Sequence, residues 1–357
     1  MTELAPVPVP SRRPEAALPL PCVDPITRLP VVILFPHSRC NCRCLMCDIW
    51  RVTKSEEIGT DAVAGWLAEW RRLGVERVML SGGEPLLHSG AAELGALLRD
   101  AGFGVTVLST GLLLERRAAS LVTYCDDLVV SLDGPREVHD RIRNVPRAFD
   151  KLARGVAAVR AADPGIAVSG RCTVQRANFR VLRATVEAAR EIGLGRISFL
   201  AVDVSSEAFN RPGGWEPDRA DGVALSPGDL PLLARELRAL SEEHAEDFAA
   251  GFIAESPEQL DAKLYRYFAA LLGRGDFHPV DCNAPWVSAV IETDGTVRPC
   301  FFQPALGNVH EAGSLGEILN SPEALAWRSG LDTHRDAVCR KCVCSLNLRD
   351  SSTGVEP

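Results

Sequence analysis

Residues 31–47 read VVILFPHSRCNCRCLMC and join a strand-like run to a group of four cysteines. The run Val31–Phe35 is apolar and mostly β-branched, which is typical of a strand buried on both faces. After a short turn, Cys40, Cys44 and Cys47 follow with the spacing CxxxCxxC. A loop at the carboxyl end of a strand is therefore predicted to hold three thiols close together.

The alternation of short apolar runs with longer helix-like runs continues until the chain has shown six such units. The predicted strands are Val31–Phe35, Arg77–Ser81, Val105–Leu108, Leu128–Leu132, Val168–Val174 and Ile197–Val202. The predicted helices between them are Thr60–Arg72, Ala91–Ala101, Glu115–Tyr124, Arg147–Ala161 and Val181–Glu191. This order predicts parallel strands with right-handed helical crossovers, that is, an α/β fold built as a partial (β/α)6 TIM-type barrel with its chemistry at the strands' carboxyl ends.

Beyond the sixth strand the pattern changes, and it suggests five parts of the chain. We expect a flexible Pro-rich leader at 1–29, the partial barrel at 30–202 and a helical connecting region at 203–280. A small cysteine-rich domain follows at 281–346, and a tail at 347–357. Prolines recur along the leader and interrupt any apolar run long enough for an export signal or a membrane helix: Pro6, Pro8, Pro10, Pro14, Pro19 and Pro21.

The composition of the chain favours some classes of function and weighs against others. With 357 residues and 46% hydrophobic content, the chain can bury a full-sized core. Its net charge of -8 and the absence of a basic run weigh against nucleic acid as a partner. Twelve cysteines in a large chain with no export signal indicate metal binding rather than a disulfide framework. We therefore predict a cytoplasmic protein, without a membrane partner, that acts on a small molecule or a peptide.

The first cysteine group fits open iron coordination. Three thiolates can hold three irons of a cubane and leave the fourth iron without a protein ligand. A zinc site or unliganded thiols remain alternatives, and Cys42 could in principle be a ligand. After the second strand, Gly82-Gly83-Glu84-Pro85 adds two glycines that permit close backbone approach to a ligand. The carboxylate of Glu84 could accept a hydrogen bond from an ammonium group.

Together, in this order on neighbouring strands, the two motifs closely resemble those of the radical S-adenosylmethionine (SAM) superfamily. The resemblance implies that Cys40, Cys44 and Cys47 ligate a 4Fe-4S cluster whose open iron binds SAM. It also implies that Met46 contacts the adenine and that the stretch from Gly82 to Pro85 binds the methionine amino group. The cofactor-binding residues implied for that stretch are Gly82, Gly83, Glu84 and Pro85.

A third stretch, Val130–Arg143, is similar to the fourth-strand region of subfamilies that include anaerobic sulfatase-maturating enzymes and peptide maturases. There the serine and the second arginine help to bind the polar end of SAM, which implies the same for Ser131 and Arg143. At the third strand many relatives read Thr-Asn-Gly, whereas this chain reads Ser109-Thr110-Gly111.

A second cysteine group begins at Cys282. Twelve residues and Gly295 follow it, then four residues and Cys300, and later Cys339, Cys342 and Cys344. A predicted hairpin, with its turn at 293–296 between Val287–Glu292 and Thr296–Arg298, would bring Cys282 near Cys300.

This layout resembles the SPASM auxiliary-cluster module, and more closely its shortened "twitch" version. The resemblance implies one auxiliary 4Fe-4S cluster on Cys282, Cys300, Cys339 and Cys342, with Cys344 as the substitute ligand. A structural zinc site is the alternative.

The resemblance implies reductive cleavage of SAM to a 5'-deoxyadenosyl radical, supplied with electrons by an external donor such as flavodoxin or ferredoxin. Hydrogen abstraction would lead to oxidation or rearrangement of a small metabolite. One alternative is a maturase that forms a carbon-carbon or thioether crosslink in a ribosomal peptide. Another, from a different class, is a non-catalytic iron-sulfur electron-transfer protein. The sequence assigns no catalytic base.

Overall fold

The computed structural model describes residues 25–348. Most of the predicted leader, Cys22 and the last nine residues of the predicted tail lie outside this range. Six parallel strands form the barrel sheet, in the order β6-β5-β4-β3-β2-β1. They are β1 Val31–Leu34, β2 Arg77–Leu80, β3 Gly104–Ser109, β4 Asp127–Ser131, β5 Ala167–Val174 and β6 Arg196–Ala201. Each boundary lies within one residue of its prediction, because every run is short and mostly apolar.

Six helices accompany these strands. They are α1 Thr60–Arg72, α2 Ala91–Asp100, α3 Leu114–Leu121, α4 Arg136–Arg143, α5 Ala148–Ala162 and α6 Leu182–Glu191. In α1, Val63, Leu67 and Trp70 are buried, and their spacing of four and three residues places them on one helical face. The five predicted helices are all present, whereas α4 was not predicted.

Short helices connect β6 to the C-terminal part of the chain. They are α7 Pro217–Val223, α8 Leu230–Glu243, α9 Ala245–Ala249, α10 Pro257–Leu260, a π-helical turn Asp261–Arg266, α11 Tyr267–Leu271 and α12 Ala284–Val287. After the hairpin come α13 Val309–Ala312, α14 Leu315–Leu319 and α15 Pro322–Ser329. Short 3-10 turns occur at Ile49–Arg51, Pro85–Leu87 and Cys339–Lys341.

The predicted C-terminal hairpin is present, but it belongs to the barrel sheet. Its strands are β7 Ser288–Ile291 and β8 Thr296–Arg298, and a further short strand is β9 Gly307–Asn308. β7 pairs in parallel with β1, with Val31 opposite Ser288, so the sheet has nine strands. The fold is the expected partial barrel, with the cysteine-rich part attached along β1. No helix within residues 25–348 is long and apolar enough to cross a membrane.

Candidate active site

A cavity opens at the carboxyl ends of the barrel strands, where the sequence predicts the chemistry. Its wall includes Cys40, Cys44 and Cys47 from the loop after β1. Residues just after β2, residues on β3 to β6 and the segment after β6 form most of the rest, and Val343 from the C-terminal part joins them. The cavity is thus the meeting point of the barrel and the second cysteine group.

The loop that carries the three thiols is fixed by its backbone. The amides of Arg43 and Leu45 donate to the carbonyls of Arg143 and Ile142, at 3.1 and 3.0 Å. Cys42 is buried but does not line the cavity, so only the three cysteines of the CxxxCxxC spacing face it. This arrangement supports the predicted ligand set and gives no support to Cys42.

Burial sets the protonation of these thiols. It raises the pKa of Cys40 and of Cys47 to about 12. A hydrogen bond from Cys42, with help from the nearby Arg143 guanidinium, lowers the pKa of Cys44 to about 7. Because the thiolate is the form that binds iron, a positive metal centre is needed to hold all three cysteines ionised.

The stretch after β2, from Gly82 to Pro85, packs against the loop that carries the three thiols. The Glu84 amide donates to the Arg39 carbonyl at 3.0 Å. A Cβ at Gly83 would lie 2.1 Å from that carbonyl oxygen, and one at Gly82, where φ is +97°, would lie 2.7 Å from the Phe35 ring. Both glycines line the cavity. The close approach visible here is to the protein's own backbone and to Phe35.

Glu84 lies behind the cavity wall and is fully buried. Its carboxylate accepts from the Leu86 amide, the Ser109 hydroxyl and both the amide and hydroxyl of Thr110, at 2.6–3.1 Å. These donors join the ends of β2 and β3. Neither Glu84 nor Pro85 lines the cavity, so their predicted contact with SAM remains a prediction. Thr110, at the position where the sequence departs from Thr-Asn-Gly, instead bonds Glu84 and Asn41.

Arg143, at the end of α4, is buried in the cavity wall. Its guanidinium pairs with the fully buried Asp133 at 2.6 Å and lies 3.5 Å from the Cys44 sulfur. Burial lowers and Asp133 raises the pKa of Arg143, and the balance leaves it above its usual value. Asp133 lies within the stretch that predicted Ser131 and Arg143, but its partnership with Arg143 needed the folded structure. Ser131 and Met46 also line the cavity, and their predicted contacts with SAM remain predictions.

The segment after β6 holds the cysteine loop in place through contacts that the sequence did not predict. Trp215 Nε1 donates to the Asp48 carboxylate at 2.6 Å, and Arg219 pairs with the same carboxylate. Arg211 donates to the Met46 carbonyl and to Asp203, while its guanidinium stacks on the Trp215 ring at 3.8 Å. The segment thereby fixes the backbone on both sides of Cys47.

Three arginines line the cavity, and they differ in their partners. Arg143 is neutralised by Asp133, and Arg211 by Asp203 at 3.1 Å. Arg171, on β5 opposite Ser131, is half-buried and has no ion-pair or hydrogen-bond partner for its side chain among residues 25–348. It is the uncompensated positive charge of the cavity wall and suits an anionic group of a ligand.

Four thiols of the second cysteine group lie near one another, and their role as ligands of one cluster remains a prediction. Burial raises the pKa of Cys300 to about 11, and the thiols of Cys282 and Cys344 lie close enough to add to this. The same three thiols surround Cys342. Asn283 bonds the chain at Leu346 and Leu348, which draws the C-terminal end towards Cys282.

Cys339 is held slightly differently from the other four. Gln303 Nε2 donates to its sulfur at 3.2 Å, and Asp336 accepts from its amide at 2.9 Å. Within the described range no three or more His, Cys, Asp or Glu side chains are arranged to hold a single metal ion. The donor set, five thiols here and three at the cavity, fits iron-sulfur clusters.

Family comparisons agree with this geometry. Residues 34–176 match the radical SAM superfamily, and residues 282–343 match SPASM, an iron-sulfur cluster-binding domain. The chain belongs to the radical SAM superfamily and carries a SPASM-type domain. It is an enzyme of that superfamily, and its cofactors are 4Fe-4S clusters and SAM.

Curated relatives differ in their activities. The chain is 25% identical to the AdoMet-dependent heme synthase of Methanosarcina barkeri, over 85% of this chain and 88% of that protein. It is 26% identical to the PqqA peptide cyclase of Ruegeria pomeroyi, over 85% and 77%. With the Fe-coproporphyrin III synthase of Methanosarcina barkeri it shares 29% identity, over 48% of this chain and 43% of that protein, less than half of the relative's length.

A solved structure, native anSMEcpe with bound AdoMet, has the same fold. Its TM-score is 0.64 at 19% identity, with 87% of this chain and 86% of that chain covered.

Proposed function

We propose that this chain oxidises a small metabolite by removing one hydrogen atom and then one electron. The observation that carries this is Val343, which directly follows Cys342 and lines the same cavity as Cys40, Cys44 and Cys47. A radical formed in the cavity would lie beside the second cysteine group, which suits transfer of its electron to an auxiliary cluster. When bound, the first cluster supplies the electron that cleaves SAM into methionine and the 5'-deoxyadenosyl radical.

The chain's own residues position the reactants. Cys40, Cys44 and Cys47 would hold the first cluster, and the clamp on Asp48 and Met46 keeps that loop in place. Met46, Ser131 and Arg143 are proposed to orient SAM, together with the stretch from Gly82 to Pro85. Cys282, Cys300, Cys339 and Cys342 would hold the auxiliary cluster, with Cys344 beside them. The packed Phe209 and Phe301 rings, with centroids 4.8 Å apart, close the wall between the two parts and help to exclude water.

The overall change balances as follows. An external protein donor, such as a flavodoxin or ferredoxin, gives one electron, and SAM becomes methionine and 5'-deoxyadenosine. The substrate loses a hydrogen atom to the adenosyl radical, then one electron to the auxiliary cluster and one proton to solvent. Relatives named for heme and Fe-coproporphyrin III synthesis make an iron porphyrin the first metabolite to assay.

A second candidate is crosslinking of a ribosomally made peptide, favoured by the likeness to the PqqA peptide cyclase across most of the chain. Here too the substrate would be held at the barrel mouth, but the radical would form a new bond within the peptide.

The test compares wild type with a Cys40/Cys44/Cys47→Ala variant and a Cys339/Cys342→Ala variant after anaerobic reconstitution. We expect about eight irons in wild type and about four in each variant, because each group holds one four-iron cluster. Only the first variant should lose formation of 5'-deoxyadenosine from SAM. Zinc in place of iron, or no cleavage with any reductant, would contradict the function.

A further inference from the structure

Outside the cavity, the outer surface of the cysteine loop carries an exposed apolar side chain. Leu45 is 40% exposed and is the single large hydrophobic residue exposed within residues 25–348. It lies between Cys44 and Met46, both of which are buried and line the cavity. From Cys42 to Met46 buried and exposed residues alternate, so Arg43 and Leu45 face outward where Cys44 and Met46 face inward. The thickness of one loop therefore separates this surface from the first cluster's site.

The segment that carries Leu45 also carries a group of basic and aromatic side chains. The guanidinium groups of Arg43 and Arg51 lie 5.9 and 5.1 Å from the centre of the Trp50 ring. Trp50 Nε1 donates to the Cys47 carbonyl at 2.8 Å, which ties the ring to the backbone of a proposed cluster ligand. We call Arg43, Leu45, Trp50 and Arg51 the Leu45 surface.

The Leu45 surface carries an excess of positive charge. Arg43 has no ion-pair partner among the described residues, and Arg51 shares the single buried carboxylate of Asp48 with Arg219. The chain as a whole has a net charge of -8. A basic patch on an acidic protein attracts an acidic partner to one place and repels it from the rest.

We propose that the Leu45 surface is the docking site of an acidic one-electron carrier protein of the flavodoxin or ferredoxin kind. This rests on the proposed function, which needs one electron from outside for each SAM cleaved. On docking, the carrier loses one electron and the first cluster gains it, with no transfer of atoms. Leu45 and Trp50 supply the apolar centre of the contact, and the arginines guide the approach.

The experiment measures reduction of the first cluster by stopped-flow absorbance, with the reduced state verified by electron paramagnetic resonance. One reductant is an acidic flavodoxin in its hydroquinone form. The other is the 5-deazariboflavin radical, formed by illumination with EDTA as the sacrificial electron donor, which is small and needs no docking site. The proteins are fully reconstituted wild type, Arg43→Glu, Leu45→Glu and, as a matched control, Arg238→Glu. Arg238 is also exposed and has no ion-pair partner in the described part of the chain, but it lies on α8.

At low salt we expect Arg43→Glu and Leu45→Glu to slow reduction by flavodoxin about 10-fold, because steering and apolar contact are lost. Arg238→Glu should match wild type, and deazariboflavin should reduce all four proteins at the same rate. Added salt should slow wild type towards the rate of Arg43→Glu. This salt dependence gives a second measurement should Leu45→Glu load less iron.

Equal flavodoxin rates for wild type and Arg43→Glu at low salt, with no salt dependence in wild type, would overturn the proposal. Failure of the proposed function has a different signature. Wild type would then accept the electron and yet release no 5'-deoxyadenosine from SAM.

Discussion

At the scale of single residues, Gly83 shows how tightly the two sequence motifs fit together. A Cβ at this position would lie 2.1 Å from the Arg39 carbonyl oxygen and 2.6 Å from its carbon. Both atoms belong to backbone that leads directly into Cys40, so neither moves without moving the cysteine loop. We expect Gly83→Ala to destabilise the protein by about 1–3 kcal/mol, as overpacking does, and to lower iron occupancy of the first cluster. Thermal unfolding and iron analysis would measure the two effects.

The matched control is Gly65→Ala on the exposed face of α1, where a Cβ meets nothing within 4 Å. Alanine is the better helix former there, so this change should stabilise the fold by about 0.5–1 kcal/mol. Full iron loading and unchanged stability in Gly83→Ala would show that the two motifs are not coupled through this contact.

Arg171 is the cavity arginine without a carboxylate partner in the described chain. Its substitution therefore has a predictable effect on the binding of SAM. We expect Arg171→Gln to weaken SAM binding about 10-fold, the value of one charge-assisted hydrogen-bond pair. Decarboxylated SAM lacks the group in question and should bind wild type and variant alike. Equilibrium dialysis of both ligands measures this. If SAM also binds both proteins equally, the cofactor's carboxylate lies against another residue, and Arg143 is the next to test.

At the scale of elements, the segment from Asp203 to Arg219 acts as a clamp on residues 46–48. Phe209 and Asn210 have φ values of +63° and +61°, a conformation that costs energy for residues other than glycine. This turn makes two hydrogen bonds to Asp48 that offset the cost. The Asp48 amide donates to the Phe209 carbonyl at 3.1 Å, and Asn210 Nδ2 donates to the Asp48 carbonyl at 3.0 Å. The same turn brings the Phe209 ring into the cavity wall.

Asp48→Asn should loosen this clamp, because two arginines and an indole lose the carboxylate they share. We expect a loss of about 1–3 kcal/mol in stability and faster release of iron from the first cluster to a chelator. Iron of the auxiliary cluster should be released at the wild-type rate. Asp261→Asn removes an exposed ion pair with Arg266 and serves as control, with an effect of about 0.5 kcal/mol or less. A uniform rise in both release rates would instead indicate general destabilisation.

The elements also show what the sequence could predict. The strands were located because each is a short apolar run, and the helices between them because of their helical composition. Helix α4 was missed because its sequence, REVHDRIR, is almost wholly polar and buries only His139, Ile142 and Arg143. Motif spacing placed the cysteines, but the contacts of Asp48 with Trp215 and Arg219 join residues more than 160 positions apart. No local pattern predicts such a pair.

At the scale of the whole molecule, one sheet contains strands of both the barrel and the C-terminal cysteine-rich part, which the sequence predicted as separate domains. A separate cysteine-rich domain was expected from the change of pattern, and the family comparison does assign residues 282–343 to a domain of their own. Yet β7 pairs with β1 along its full length, and all four of its residues are buried. A run buried on both faces is the signal of a central strand, and Ser288–Ile291 carries it. The partner strand lies more than 250 residues away, so only folding reveals the pairing.

This continuity predicts that the barrel needs the C-terminal part. β1 bonds β2 on one side and β7 on the other, so ending the chain at residue 280 would turn Val31–Leu34 into an exposed apolar edge. Such an edge pairs with other chains. We expect the truncated protein to aggregate, as seen by light scattering. Cys339/Cys342→Ala keeps β7 and should lose about four irons while staying monodisperse. If the truncated chain instead stays monodisperse and binds about four irons, the barrel folds without β7. If both proteins aggregate, the auxiliary cluster, rather than the strand pairing, holds the C-terminal part in place.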